Sequence, residues 1–162
     1  MAISTITDSA WKEILDIQRE AYSDVLPEEI DVLKSKWHAS PDTCLIYSDN
    51  DKNVQGYILA HPWANDVPPR LHEKTPATDS NKLFLHDLAL ARRARGAKIA
   101  TQLVELLINK ALENGFSEIR LVAIQNSNLF WEKLGFTPAP EIVDLEDYGD
   151  CATLMKLALE PQ

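Results

Sequence analysis

The most strongly patterned part of the chain lies between residues 83 and 115, where a strand pattern is followed by a helix pattern. Residues 83–90, LFLHDLAL, are apolar at positions facing both ways, which is typical of a strand buried within a sheet. Only the adjacent pair His86 and Asp87 interrupts them. Farther along, apolar residues recur at helical spacing up to an Asn-Gly pair of the kind that ends helices; they are Ile99, Ala100, Leu103, Val104, Leu107 and Ala111. The pattern therefore predicts a strand, a tight turn and a long amphipathic helix in succession.

The N-terminal residues predict a strand and two helices. Residues 2–6 have the strand pattern, and the first helix follows with one stripe of Trp11, Ile14, Leu15, Gln18, Ala21 and Tyr22. Pro27, followed by two glutamates, is typical of the first turn of a second helix. The buried side of that helix is predicted at Ile30, Leu33 and Trp37.

Two short β-rich runs, residues 43–48 and 54–60, are separated by polar residues typical of a hairpin loop. Together with residues 83–90 they predict three consecutive antiparallel strands. The connection over residues 61–82 is long and holds four of the nine prolines. Because long loops in compact domains are often functional or mobile, this one is interpreted either as a lid beside a binding site or as an ordinary surface excursion.

The C-terminal part predicts three strands and a short helix. Residues 117–124 read as a strand, and residues 126–136 hold a short helix that ends in Leu-Gly-Phe. The last two strands are predicted over residues 141–145 and 152–159, joined by an acidic link around Tyr148. The whole chain therefore has the element order β-α-α-β-β-β-α-β-α-β-β.

Composition restricts the class of protein and its partners. The 162 residues suit one domain, and 45% hydrophobic with 25% charged residues is ordinary for a globular protein. A net charge of −9 argues against nucleic acid as the main partner, because nucleic-acid binding depends on basic patches. No apolar run is long enough to span a membrane and no signal peptide is evident, so we expect a cytoplasmic protein without a membrane partner. Cys44 and Cys151 show no metal-ligand spacing, and we expect no metal.

A cluster of basic side chains surrounds the predicted start of the long helix; it consists of Arg92, Arg93, Arg95 and Lys98. The first turn of a helix presents unpaired backbone N–H groups and a partial positive charge, so anions and especially phosphates bind there. A P-loop needs two glycines followed by Lys and Ser or Thr, and a dinucleotide fingerprint needs three glycines. This turn has Gly96 alone, which excludes both motifs.

Two motifs in the second half resemble those of the GNAT superfamily of N-acetyltransferases. Residues 95–100, RGAKIA, are similar to the family's coenzyme A signature, although Lys98 stands where a central glycine is usual. Residues 126–136, NSNLFWEKLGF, look like its second motif. The resemblance implies a single GNAT domain over residues 1–162, of the α/β (α+β) class. We expect a mixed, mostly antiparallel sheet with helices on both faces.

The resemblance also implies acetyl-CoA as the acyl donor and a set of residues that bind it. The backbone at the end of the central strand, Leu88, Ala89 and Leu90, is expected to hold the pantetheine arm and the thioester oxygen. The diphosphate is expected at the helix start, at Arg95, Gly96, Ala97, Lys98, Ile99, Ala100 and Thr101. Asn126 is either a coenzyme contact or a helix cap, and Phe130 is expected to pack against the coenzyme arm.

Acetyl transfer to an amine needs a group that takes up a proton and a group that supplies one. His86 is the candidate base, since an ordinary imidazole is mostly neutral at pH 7 and a strand histidine occurs at this spacing in the arylalkylamine sub-family that the stretch resembles. In a regular strand Asp87 would face the other way and serve structure, pairing with Arg92 or Arg93. Many family members supply the proton from a Tyr after the Phe of the second motif, but Trp131 stands there, so Tyr148 or a water is proposed instead.

These observations predict an N-acetyltransferase that transfers the acetyl group directly from acetyl-CoA to a primary amine. The negative charge favours a small-molecule acceptor over a protein. The alternatives are an enzyme that acetylates protein or peptide amines, an enzyme that uses a longer acyl donor, and a non-catalytic acyl-CoA-binding regulatory module. The sequence is compatible with a homodimer and leaves the oligomeric state open.

Overall fold

A computed structural model describes residues 2–22, 26–96 and 98–160 of the chain. The helices in this part are α1 (Trp11–Ala21), α2 (Ile30–Ala39), α3 (Ile99–Glu113) and α4 (Asn128–Lys133). The strands are β1 (Ala2–Thr5), β2 (Cys44–Ser48), β3 (Val54–Pro62), β4 (Lys82–Leu90), β5 (Glu118–Ala123), β6 (Thr137–Pro138) and β7 (Thr153–Ala158). The predicted order of helices and strands is confirmed.

The strands of the described residues form one sheet in the order β1-β2-β3-β4-β5-β7-β6. Within it β4 and β5 pair in parallel, and the other neighbouring strands pair antiparallel. The side chains of the sheet contribute to two cores, one on each face of the sheet. One core packs the sheet against α3 and α4 through residues such as Leu103, Leu107 and Trp131, and the other packs it against α1 and α2 through Trp11, Ile14 and Leu33. The predicted mixed, mostly antiparallel sheet with helices on both faces is therefore confirmed.

The central strand β4 departs from regular geometry in two ways. Leu59 of β3 pairs with Asp87 and Ala60 pairs with Leu85, so His86 is an extra residue and forms a β-bulge. In addition, the pairing of β4 with β5 runs from Lys82 only to Leu85, although β4 continues to Leu90. The two parallel strands therefore separate beyond the bulge and leave a gap in the sheet.

The predicted strand over residues 141–145 is wrong. The two-residue strand β6 lies earlier, and the chain from residue 139 to the turn at Glu146–Tyr148 has no regular hydrogen-bonding pattern. This segment is held by a side chain instead: the buried guanidinium of Arg120 binds both oxygens of Glu141, at 2.8 and 2.9 Å, and also contacts Glu118. Ile142 beside it is fully exposed, so this run is not a strand with its apolar side chains packed in a core.

The Arg120–Glu141 pair predicts a specific pH dependence of stability. Its hydrogen bonds lower the pKa of Glu141 from 4.5 to about 2, so the pair stabilises the fold above pH 4.5 and this contribution is lost as the pH falls toward 2. Thermal unfolding followed at a series of pH values should therefore show a smaller loss of stability in this range for Glu141→Gln than for the wild type. Parallel curves for the two proteins would contradict this role of Glu141.

The long segment between β3 and β4 is tied to the helices and to the 146–148 turn. Thr75 receives a hydrogen bond from Lys36 at 2.9 Å and donates its N–H to Ser35 at 2.8 Å. The Tyr148 hydroxyl donates to the carbonyl of Pro69, and Arg70 lies 3.6 Å from Asp147. These contacts hold the segment against α2 and the 146–148 turn. No helix among the described residues has the length and apolar character needed to cross a membrane.

Candidate functional site

A cleft of about 700 Å³ begins at the gap between β4 and β5 and extends to the segments beside α1 and α2. Its middle wall is the bulged strand from Leu85 to Leu90. One end is bordered by Arg95 and Ala100 at the start of α3, and by residues that follow β5. The other end is bordered by Glu28, Leu71 and Tyr148, so the cleft joins the predicted phosphate site to the region of the predicted lid.

Most of the residues predicted to act at the site border this cleft. Those found there are His86, Leu88, Ala89, Leu90, Arg95, Ala100, Phe130 and Tyr148. Gly96, Lys98, Ile99, Thr101 and Asn126 are placed near its end by the α3 turn or the β5 turn but do not form its wall. Ala97 lies outside the described residues. The predicted coenzyme wall is therefore brought together around the gap, while its details at the helix start remain a prediction.

The turn before α3 explains why a glycine is usual where Lys98 stands. Lys98 has φ 62° and ψ 17°, in the left-handed region that glycine adopts without strain, and Gly96 also has a positive φ of 85°. A residue with a Cβ loses roughly 1 kcal/mol or more in this conformation. The lysine therefore keeps the backbone path of the glycine-containing motif at a cost in stability.

Comparing two substitutions at this position tests that explanation. Lys98→Gly and Lys98→Ala remove the same charge, but only glycine relieves the left-handed strain. We expect the glycine variant to be more stable than the alanine variant by about 1 kcal/mol in chemical denaturation. Equal or reversed stabilities would show that the turn does not hold residue 98 in this conformation.

The residues after β5 form a tight turn at the same end of the cleft. Gln125 and Asn126 both have positive φ values, 53° and 60°, and Ser127 donates its N–H to the Ile124 carbonyl at 3.0 Å. Both central residues of such a turn need the left-handed region, which asparagine tolerates better than most residues. Asn126 is thus a turn residue, whereas Ser127 precedes α4 as its N-cap residue. Whether Asn126 also contacts the coenzyme remains a prediction.

Trp131 belongs to the core and also borders the cleft, but its indole N–H is not a usable acid. Its ring is buried between Phe130 and Phe136, in edge-to-face contacts with centroids 4.9 and 5.5 Å apart. Phe130 is only partly buried and borders the cleft, and its packing against the coenzyme arm stays a prediction.

The bulge corrects the prediction that His86 and Asp87 face opposite sides. Because His86 is the extra residue, the side chains of His86 and Asp87 do not alternate. Both point toward α1 and α2. Asp87 does not pair with Arg92 or Arg93. Its two carboxyl oxygens are hydrogen-bonded to the hydroxyl groups of Tyr22, at 2.7 Å, and Tyr57, at 2.5 Å, and burial raises its pKa above the ordinary value.

His86 is held by Glu28, a residue that sequence reasoning assigned only to a helix start. The two side chains meet at 2.6 Å between His86 Nε2 and Glu28 Oε1, and the imidazole is buried while the carboxylate is slightly exposed to the cleft. Burial disfavours the charged form of Glu28 and acts to raise its pKa. The hydrogen bond and the charge of His86 outweigh the effect of burial and lower the pKa of Glu28 to about 2.

Glu28 is itself fixed by two elements. Both the N–H and the carbonyl of its backbone bind the buried side-chain amide of Gln18 in α1, at 3.2 and 3.3 Å. Its second oxygen accepts the N–H of His72, at 3.0 Å, from the long segment between β3 and β4. The carboxylate therefore connects His86, α1 and that segment, which fixes its position at the end of the cleft.

Two further buried ionisable groups lie behind this pair. Lys36 is fully buried, and burial lowers its pKa although Glu28 and Asp87 are close enough to oppose the shift. Burial, with the charge of His86, lowers the pKa of His61 to about 3, so His61 is neutral. Its ring centroid lies 6.3 Å from that of His86. The interior behind the cleft is therefore unusually rich in ionisable side chains, which is typical of active sites.

Tyr148 borders the cleft at the same end as Glu28. Burial raises the pKa of its phenol, and its hydroxyl donates to the Pro69 carbonyl. This hydrogen bond ties the 146–148 turn to the predicted lid. In this structure the Tyr148 proton is directed at a backbone carbonyl. The role of Tyr148 as proton donor remains a prediction.

Several residues of the site could not be recognised from the sequence. Glu28 is separated from its partner His86 by 58 positions, and Tyr22 is separated from Asp87 by 65. Glu28 and Glu29 look equivalent in the sequence, but only the first turns inward, because Gln18 holds its backbone. The one available signal was the stripe on α1 that included Gln18 and Tyr22, two polar residues on a predicted buried face.

The sequence matches the model of the acetyltransferase (GNAT) family over residues 11–136. A comparison with curated protein sequences finds no match.

Solved structures share the fold at low sequence identity. Ard1 from Thermoplasma volcanium has a TM-score of 0.76 and 14% identity, with 98% of this chain and 97% of that chain covered. The NatC complex bound to Gag peptide and CoA contains a chain with a TM-score of 0.75 and 23% identity, and 98% of each chain is covered. An aminoglycoside 6′-N-acetyltransferase complexed with coenzyme A has a TM-score of 0.73 and 16% identity, with 100% and 99% covered.

Proposed function

The chain belongs to the acetyltransferase (GNAT) family, and we propose from this premise that it transfers an acetyl group from acetyl-CoA directly to the primary amine of a small molecule. The observation that carries the proposal is the cleft itself. It connects a gap between parallel strands and a helix start, suited to a coenzyme, with a buried Glu28–His86 pair suited to taking a proton from an amine.

The coenzyme is proposed to occupy the end of the cleft beside α3. Among the described residues, no strand pairs with β4 on the β5 side beyond Leu85, so peptide groups from Leu88 to Leu90 on that side are open to an extended ligand. The Leu88 carbonyl also accepts a hydrogen bond from Tyr22. The start of α3 offers unpaired N–H groups with Arg95 next to them, which suits a diphosphate. Two structural neighbours, described above, are complexes with CoA or coenzyme A, which supports the assignment.

The Glu28–His86 pair is proposed to take the proton that the amine loses. Only on the order of one alkylamine in a thousand is unprotonated at neutral pH, because its pKa is about 10.4. The His86 side chain is 1% exposed and the Glu28 side chain is 10% exposed, so the carboxylate is the member of the pair that is more accessible to an incoming amine. We assign Glu28 to the first contact with the amine and the two residues together to holding its proton.

A small acceptor is favoured by how the acceptor end of the cleft is enclosed. The segment between β3 and β4 approaches the 146–148 turn through the Tyr148–Pro69 hydrogen bond and Glu28 through His72. These contacts narrow the space in which an extended peptide would lie. The nearby carboxylates of Glu146 and Asp147 favour a cationic acceptor.

Release of free thiol from acetyl-CoA, measured against a panel of small amines and peptides with free α-amines, tests the proposal. We expect turnover with at least one small amine and little with peptides. Preference for a peptide would favour the protein-acetylating alternative, and tight acetyl-CoA binding without turnover on any acceptor would favour a regulatory module. A propionyl or succinyl donor that outcompetes acetyl-CoA would reassign the acyl group.

A further inference from the structure

The buried carboxyl group of Asp87 has hydrogen-bond partners that fit its protonated form. Its oxygens are bound by two hydroxyl groups, those of Tyr22 and Tyr57, rather than by a cation. Tyr57 is completely buried, and Asp87 is 8% exposed. Tyr22 is partly exposed on the cleft wall.

Counting protons distinguishes the two forms of Asp87. The Tyr22 oxygen is 2.7 Å from Asp87 Oδ1 and 2.9 Å from the Leu88 carbonyl oxygen, both of which are acceptors if Asp87 is ionised. One hydroxyl proton cannot satisfy both well. If Oδ1 carries a proton, Asp87 donates to Tyr22, Tyr22 donates to Leu88, and Tyr57 donates to Oδ2. The two Asp87 oxygens, the two tyrosine hydroxyls and the Leu88 carbonyl then each have a partner, as expected for buried groups.

We propose that Asp87 is protonated in the resting protein and that Tyr22 relays this proton to the sulfur of coenzyme A during acetyl transfer. The inference rests on the proposed function for the identity of the reaction. Tyr22 reaches the Leu88 carbonyl at the end of the bulged strand, which is the part of the cleft assigned to the thioester. This position makes Tyr22 a catalytic residue and Asp87 a residue that acts through it.

The relay accounts for each proton of the reaction. After the amine attacks the thioester carbon, the carbon–sulfur bond breaks and sulfur keeps the electron pair. Tyr22 gives its hydroxyl proton to sulfur while Asp87 Oδ1 gives its proton to the Tyr22 oxygen. Coenzyme A leaves as the thiol and Asp87 is left ionised. The Glu28–His86 pair passes the proton of the ammonium form to solvent and then takes the second proton that the nitrogen loses as the amide forms. Solvent exchange returns one proton to Asp87 before the next turnover.

Acid strength explains why the carboxyl group is needed. Burial raises the pKa of the Tyr22 phenol well above 10, so alone it is a poor donor to a thiolate, whose conjugate acid has an ordinary pKa of about 8.5. A carboxylic acid is the stronger donor, and burial raises the pKa of Asp87 and thereby favours its protonated form. The other titratable groups that face Asp87 or Tyr22 are Glu28, Lys36, Tyr57, His86 and Arg95.

Infrared spectroscopy of the protein without substrate tests the protonation state independently of catalysis. We expect a carbonyl band of a protonated carboxylic acid at pH 7 that is lost in Asp87→Asn and shifted in Tyr22→Phe, which removes one hydrogen bond. A wild-type spectrum without such a band would overturn the proposal. If Asp87→Asn fails to fold, the shift in Tyr22→Phe decides the assignment, and an unshifted band would reject it.

Kinetics test the relay on an acceptor that the thiol-release panel identifies. We expect Tyr22→Phe to lower kcat by roughly 100-fold with a small change in KM for acetyl-CoA. Asp87→Asn preserves the shape of the side chain but has no acidic proton. Because Asp87 must be protonated, the wild-type rate falls as the pH rises through its pKa, and this basic limb should be absent in Asp87→Asn. An unchanged kcat in Tyr22→Phe, or a loss confined to Tyr148→Phe, would assign the proton to another donor.

Discussion

Replacing His86 by Gln is expected to lower kcat/KM for acetyl transfer by on the order of 100- to 10,000-fold and to remove the acidic limb of its pH profile. Glutamine can still donate an amide N–H to Glu28 but cannot accept a proton at neutral pH. Alanine is a less informative replacement, because it leaves the largely buried Glu28 carboxylate without its partner at 2.6 Å, a loss that destabilises proteins by roughly 3–5 kcal/mol.

Glu28→Gln provides the matched test of the same pair. If Glu28 and His86 act as one unit, Glu28→Gln should also slow transfer strongly, and the double variant should be little slower than the slower single variant. Full additivity of the two losses would mean that the residues act separately. A pH profile of His86→Gln with the wild-type acidic limb would transfer the base role to another group.

Reversing the charge at Arg95 is expected to weaken acetyl-CoA binding by on the order of 10- to 100-fold, with little change in stability. The side chain is exposed at the end of the cleft beside α3, so its loss leaves the core intact. A hydrogen bond to a charged group contributes roughly 1.5–3 kcal/mol, which corresponds to this range of affinity. Isothermal titration calorimetry measures the dissociation constant directly.

Lys12→Glu is the matched control for Arg95→Glu. It makes the same change in net charge at an exposed position on α1 that does not border the cleft. Any general effect of added negative charge on an anionic ligand appears in both variants and weakens with salt. An equal loss of affinity in the two variants would contradict a local diphosphate site at Arg95.

The sequence was informative where the burial of an element's faces determines the spacing of its apolar residues. Residues 83–115 form a buried strand and an amphipathic helix because both faces of β4 and one face of α3 are covered, and each pattern was visible in the chain. The start of α3 was also predictable, because glycine and basic residues occur together there. These local signals were sufficient to predict the residues that border the end of the cleft beside α3.

The end of the cleft beside Glu28 was harder to predict because its geometry depends on contacts between distant residues. Reading His86 and Asp87 as opposite-facing assumes a regular strand, and nothing in LFLHDLAL marks the bulge that turns both toward α1 and α2. Residues 141–145 were predicted as a strand, but the chain there is held by the Arg120–Glu141 pair instead. Glu28 acquires its position from Gln18 and His72. Such features become visible only when the elements are packed together.

A crystal structure with bound coenzyme A tests the central claim most directly. We expect the pantetheine arm along Leu88–Leu90, the sulfur on the side of Tyr22, and the diphosphate against residues 95–101. Coenzyme density elsewhere, with the gap between β4 and β5 left to solvent, would contradict the assignment of this cleft to acetyl transfer.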